Sequence, residues 1–122
     1  MYEVYVQTHI SSAHHLRNYN GECKNQHGHN WIIKTYVQCK ELDKLAMGID
    51  FKKLKSAIKN VCEDLDHADL NKIPYFKSHN PTSESVAKYL FSNLSDVIND
   101  ERIRISKIEV METPGNGAIY WE

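Results

Sequence analysis

The fold is decided by two runs of sequence, Tyr2 to His14 (YEVYVQTHISSAH) and His27 to Cys39 (HGHNWIIKTYVQC). In the first, the even positions read Tyr2, Val4, Val6, Thr8, Ile10, Ser12 and His14. In the second, the odd positions read His27, His29, Trp31, Ile33, Thr35, Val37 and Cys39. Strand side chains alternate between faces with a period of two, so each set lies on one face and both sets are largely apolar. The alternation predicts strands over 2–13 and 27–40. Paired antiparallel, they bring His14, at the end of one, against His27 and His29, at the start of the other. Three imidazoles at the mouth of an apolar face suit a zinc ion with one position left open, the arrangement of a catalytic metal. A lone histidine on an apolar face is more often a hydrogen-bonded core residue. Three on converging faces, two of them in His27-Gly28-His29, are harder to read that way. Gly28 leaves the opposite face bare between the two ligands. His9 has the other parity, His15 lies just past the strand end and His79 falls in a loop, so none of these joins the set.

Working outward, residues 15–26 are polar and broken by Asn18, Asn20, Gly21 and Asn25, which marks a loop. A second loop holds Gly48, and Asp50 is placed to cap a helix. Within 51–65 the apolar positions Phe51, Leu54, Ala57, Ile58, Val61, Cys62 and Leu65 form one helical stripe, with lysines opposite. The segment 66–80 is irregular and carries Asp66, His67, Asn71 and Pro74. A second helix is expected from Asn80-Pro81-Thr82, where proline suits the first turn and Asn or Thr the cap. Its stripe is Val86, Ala87, Leu90, Leu94, Val97 and Ile98. A third strand spans 102–112, but its apolar parity changes from Ile103 and Ile105 to Ile108 and Val110. A β-bulge near Ser106-Lys107 accounts for the shift. A short strand over 118–121 follows the turn at Pro114-Gly115-Asn116-Gly117.

The order is β-β-α-α-β-β, which predicts an α+β domain: a four-stranded antiparallel sheet with two helices on one face. The exposed edges of so small a sheet invite pairing with other copies into a larger barrel. At 122 residues the chain is one domain, 1–122, with ordinary apolar and charged fractions. A net charge of −1 supplies no basic field, so nucleic acid is not an expected partner. No apolar run approaches the roughly 20 residues of a membrane span. Three cysteines, Cys23, Cys39 and Cys62, with no signal-like start, point to free thiols in a reducing, cytoplasmic setting. Lys52, Lys53, Lys55 and Lys59 are either the wet face of the first helix or a site for a phosphorylated small molecule.

Other residues fit chemistry. Cys23 lies four residues before His27, where a nearby cation favours its thiolate; it is either a base beside the metal or a fourth ligand. Cys39 and Cys62 fall on apolar stripes and read as core. Asp66-His67 is the pairing of a carboxylate with an imidazole used in acid–base work. Glu112 shares parity with Ile108 and Val110, so it projects from the apolar face at a strand end. There it needs either an internal partner such as Arg104 or a ligand edge offering two N–H groups.

Taken together these residues resemble the 6-pyruvoyl-tetrahydropterin synthase / 6-carboxy-tetrahydropterin synthase family. The matching segments are Ser12-Ala13-His14-His15-Leu16, Cys23-x-x-x-His27-Gly28-His29-Asn30 and Ile49-Asp50-Phe51-x-x-Leu54-Lys55. They continue with Leu65-Asp66-His67-x-x-Leu70-Asn71, Asn80-Pro81-Thr82-Ser83-Glu84 and Glu112-Thr113, in order over essentially the whole chain. The resemblance implies the tunnelling fold (T-fold), in which subunits assemble into a barrel, typically a homohexamer of two trimers, with active sites between subunits. Three residues between the cysteine and His-Gly-His, here Lys24-Asn25-Gln26, look like the bacterial carboxy-forming branch of queuosine and 7-deazapurine biosynthesis. Pyruvoyl-forming members of biopterin synthesis usually have a longer gap, and members making a folate precursor tend to use glutamate, for which Glu22 is the candidate. The usual His-Arg-Leu is His14-His15-Leu16 here, so an arginine is missing.

The implied reaction converts 7,8-dihydroneopterin triphosphate to 6-carboxy-5,6,7,8-tetrahydropterin, acetaldehyde and triphosphate. In it, zinc on His14, His27 and His29 would act on the side-chain hydroxyls and Cys23 would abstract a proton. His67, oriented by Asp66, would relay protons from a neighbouring subunit. Glu112 would anchor the amino-pyrimidine edge, with Thr82 and Ser83 helping at the helix start. The alternatives are the pyruvoyl-forming lyase, a non-catalytic pterin-binding oligomer, and a metalloenzyme outside pterin chemistry.

Overall fold

A computed structural model describes residues 1–21 and 25–122. Strand β1 (Tyr2–His14) and strand β2 (His27–Cys39) pair antiparallel along their whole length, from Tyr2 opposite Cys39 to His14 opposite His27. Val6, Ile10, Ser12 and His14 of β1 are buried, as are Trp31, Ile33, Thr35, Val37 and Cys39 of β2, so the predicted faces are the observed ones. Helix α1 (Phe51–Cys62) starts where Asp50 accepts the backbone N–H of Lys52 at 2.8 Å. It ends three residues before the last apolar position of its stripe, and Leu65 is buried from the following turn.

The expected sheet of four strands has a fifth. Strand β3 (Ala68–Asp69) lies parallel to β1 at Ser12 and Ala13, on the edge away from β2. A single turn of 3₁₀ helix (Leu70–Lys72) and a short helix α2 (Pro74–Ser78) follow, burying Leu70 and Phe76. Two and five residues are too few to establish a period, so the segment 66–80 reads as irregular in sequence while holding three short elements. Helix α3 (Ser83–Ile98) begins after Pro81, with the Thr82 hydroxyl accepting the Ser85 N–H at 3.1 Å. Its buried stripe includes Phe91 as well as the expected residues, whereas Val97 in the last turn and Phe51 in the first turn of α1 are exposed.

Strand β4 (Ile103–Thr113) pairs with β2, and strand β5 (Asn116–Tyr120) with β4, giving the order β3-β1-β2-β4-β5. The predicted bulge is present. Tyr36 faces Lys107 but Val37 faces Ile105, so Ser106 is the surplus residue. Ile103 and Ile105 before it, and Ile108 and Val110 after it, are all buried. A second irregularity lies at the far end of β4. There Met111 faces Gly117 and Thr113 faces Asn116, which leaves Glu112 without a cross-strand partner. The chain then turns through Gly115, whose φ of +93° favours a residue without a Cβ. Cys39 and Cys62 are free, buried thiols in the core, as expected. No helix among the described residues is long and apolar enough to cross a membrane.

Candidate metal centre and cleft

The end of β1 and the start of β2 do what the alternation predicts: His14, His27 and His29 converge. His14 is 1% exposed, with its ring edge-on to Trp31 at a centroid distance of 4.7 Å. Trp31 is itself fixed, because its indole N–H donates to the Ser12 carbonyl at 3.2 Å. The centroids of His14 and His29 each lie 4.6 Å from that of His27.

Two backbone carbonyls set the tautomers. His14 Nδ1 is 2.7 Å from the Pro81 oxygen, and His27 Nδ1 is 2.7 Å from the Asn25 oxygen. A carbonyl only accepts, so Nδ1 carries the proton in each ring and the Nε2 lone pair points inward. These two Nε2 atoms lie 3.1 Å apart. Glu112, two residues beyond Val110 and on the same face of β4, reaches the same point. Its Oε1 is 2.9 Å from His14 Nε2, 3.5 Å from His27 Nε2 and 2.8 Å from His29 Nε2. The contact to His29 is out of line for a hydrogen bond, leaving that buried nitrogen without a hydrogen-bond partner among the described residues. Burial, the largest influence on His29, holds its pKa below the ordinary imidazole value.

Three nitrogens and a carboxylate oxygen thus lie within 4.8 Å of one another. Lone pairs this close repel unless positive charge lies between them. A proton relieves one contact; a divalent cation relieves all of them, and imidazole with carboxylate is a zinc-type donor set. The residues present therefore fit a metal ion. The internal partner considered for Glu112 is excluded, since Arg104 donates to Gln38 at 3.2 Å instead. Gly28 is not required by space within one chain, because a Cβ there meets nothing within 4 Å.

Beside the histidines opens a cleft of about 400 Å³, lined by His14, Leu16, Thr82, Ser83, Glu84, Glu112 and the β4–β5 turn. Thr82 and Ser83 are thus brought to the site, with the start of α3. Glu84 belongs to the same cleft and was signalled only by its place in the Asn80–Glu84 segment.

Asp66 and His67 are not brought to this site within one chain. Their side chains meet at 3.2 Å, and they line a separate cavity of about 510 Å³ with His9, Lys55 and Lys59. Asp66 also accepts the Ser11 N–H at 2.8 Å, the main reason its pKa lies below the usual carboxylate value. His67 has a left-handed backbone, φ +54°, and its side chain is 82% exposed. Cys23 lies outside the described residues. His15, where the resembling family usually has arginine, is half-buried against Asn71. The four lysines of α1 are exposed, and two of them, Lys55 and Lys59, reach the Asp66-His67 cavity.

Residues 3–122 match the family described as 6-pyruvoyl tetrahydropterin synthase. The chain is 30% identical over its whole length, and the whole of the relative's, to a 6-carboxy-5,6,7,8-tetrahydropterin synthase of Haemophilus influenzae. It is 29% identical to the Synechocystis protein of the same description, over 99% of this chain and 94% of the other. Among solved structures, the 6-pyruvoyl tetrahydropterin synthase of Caenorhabditis elegans superimposes with a TM-score of 0.88 at 30% identity, covering 99% and 95% of the two chains.

Proposed function

The chain belongs to the 6-pyruvoyl tetrahydropterin synthase family, and from that premise we propose that it is a zinc-dependent lyase of tetrahydropterin synthesis. Its substrate is 7,8-dihydroneopterin triphosphate, and its products are 6-carboxy-5,6,7,8-tetrahydropterin, acetaldehyde and triphosphate, in the queuosine branch. The observation that carries this reading is the convergence of His14, His27, His29 and Glu112 at the edge of a cleft that also holds Thr82 and Ser83.

A zinc ion held by the three histidines supplies Lewis acidity toward the substrate's side-chain hydroxyls. Cys23, four residues before His27 in the sequence, takes a side-chain proton as thiolate. Asp66 stays ionised under the pull of the Ser11 N–H and orients His67 through Nδ1, leaving the other ring nitrogen to pass protons. So exposed and conformationally costly a histidine is best used outside its own chain, on the cleft of a neighbouring copy. Glu112 accepts the paired N–H groups of the amino-pyrimidine in a bidentate contact. The Thr82 hydroxyl, already accepting the Ser85 N–H, keeps its proton to donate, and Ser83 stands beside it. Lys55 and Lys59, in the cavity with His67, take the triphosphate.

Oxidation of the side chain balances reduction of the ring, so the rearrangement and loss of triphosphate need no redox cofactor. Water then completes carbon–carbon cleavage to acetaldehyde and the 6-carboxy group. The copies form a homohexamer of two trimers in the cytoplasm, where the free thiols Cys39 and Cys62 stay reduced.

The likeness to the C. elegans structure supports a second reading, a 6-pyruvoyl product. Incubating zinc-loaded protein with 7,8-dihydroneopterin triphosphate and identifying products by mass spectrometry decides between them. The carboxy product with acetaldehyde is expected. A pyruvoyl product moves the enzyme to the other branch, and tight binding without conversion makes it a pterin binder.

A further inference from the structure

Antiparallel pairing with β2 ends at His14, the most buried ligand of the centre, and the chain leaves the sheet there. Nothing in strand pairing alone holds the segment just beyond it. Along the other edge of β1, however, the odd residues are bound in succession. Ser11 gives its N–H to Asp66 and accepts from the His67 N–H at 2.6 Å, and Ala13 pairs with Asp69 of β3. Past the strand, side chains take over. Asn71 Oδ1 accepts the His15 N–H at 2.9 Å while its Nδ2 donates to the His15 carbonyl at 3.0 Å. Asn80 repeats the pattern on Arg17, accepting at 3.0 Å and donating at 2.9 Å.

Each asparagine therefore presents to one residue the acceptor and donor that a neighbouring strand would present. Asn80 is followed by Pro81, whose carbonyl holds His14 Nδ1. The segment 14–17 is thus fixed at the ring of His14 and at the backbones of residues 15 and 17, from the 3₁₀ turn holding residue 71 and the loop at residue 80.

We propose that Asn71 and Asn80 are positioning residues for the metal centre: their amides extend the edge of β1 by two places and so fix where His14 presents its nitrogen. This inference rests on the metal reading of His14, His27, His29 and Glu112. Neither asparagine touches the ion or substrate; both act through His14.

The test is zinc titration of metal-free protein against a chelating dye, for wild type, Asn71→Ala and Asn80→Ala, each also combined with His14→Ala. The milder Asn71→Asp and Asn80→Asp keep the acceptor, lose the donor and serve if an alanine variant fails to fold. Outer residues that orient a ligand typically cost about 10-fold or more in metal affinity when removed. That loss is expected in both single variants, together with a disturbed cobalt(II) absorption spectrum. In the His14→Ala background the further loss should vanish, which a general weakening of the fold would not produce. Unchanged affinity in the singles, or the same loss persisting without His14, overturns the positioning role. A wild type that binds no zinc overturns the metal reading first, and this inference with it.

Discussion

Two histidine sites share this molecule and differ in almost every physical respect. His14, His27 and His29 are drawn into the protein, carbonyls fix the tautomers of two of them, and their free nitrogens face one another and a carboxylate. His67 stands out in solvent on a left-handed backbone with one carboxylate beside it. The first site gathers four groups that could hold a metal ion within one chain. The second has an imidazole and its orienting acid in a separate cavity that also holds Lys55 and Lys59. Burial with mutual repulsion fits a place for an ion, and exposure with backbone strain fits the proposal that His67 serves a neighbouring copy.

The largest effect that could break this contrast is on metal affinity. His14→Ala should weaken zinc binding by more than about 100-fold, while His67→Ala should leave it unchanged and lower turnover by about 10²–10⁴. Dye competition and steady-state rates measure the two; a zinc defect in His67→Ala would dissolve the distinction. Next, the two inactive variants should complement each other. If His67 serves a neighbouring copy, an equimolar reassembled mixture regains about a quarter of wild-type activity, the share of sites drawing one intact residue from each side. Activity that stays at zero on mixing places both residues in one chain's site.

A third prediction separates the two uses of Glu112. Glu112→Gln should lose about 10-fold or more in pterin affinity if the carboxylate anchors the ligand, with zinc affinity held within a few-fold by the three histidines. Isothermal titration with each ligand reads this, and a larger zinc than pterin defect would make Glu112 chiefly a metal ligand. Acid sharpens the other half of the comparison. Asp66 has a native pKa below its unfolded value of about 4, so its contribution to stability is present above that pH. It disappears as the pH falls through the lower native value. Melting curves of wild type should therefore exceed those of Asp66→Asn at neutral pH and converge with them in acid. Curves parallel at every pH would mean that the Ser11 contact does not depend on the charge.

The alternation in β1 and β2 made the convergence of the histidines legible, and the parity break in β4 revealed the bulge, because both follow from a local period of two. What escaped notice was made by contacts distant in sequence. Strand β3 has no period to read, the Pro81 carbonyl is a backbone atom with no sequence signature, and the second irregularity in β4, at Glu112, comes with no parity break to betray it. Thr35 is instructive in the same way. Its place on the apolar face was visible, but its buried hydroxyl has no partner among the described residues. Thr35→Val should raise stability by about 1 kcal/mol, a few degrees in melting temperature by calorimetry, the smallest of these effects.

The surplus residue at Ser106 makes β4 one position longer than the stretch of β2 it covers. Every side chain beyond it, from Ile108 through Val110 to Glu112, takes its face from that extra count. Removing the position itself would turn Ile108 and Val110 toward water and carry the carboxylate to the wrong side of the sheet. It is the length of this strand, more than its composition, that keeps an acid in the company of three histidines.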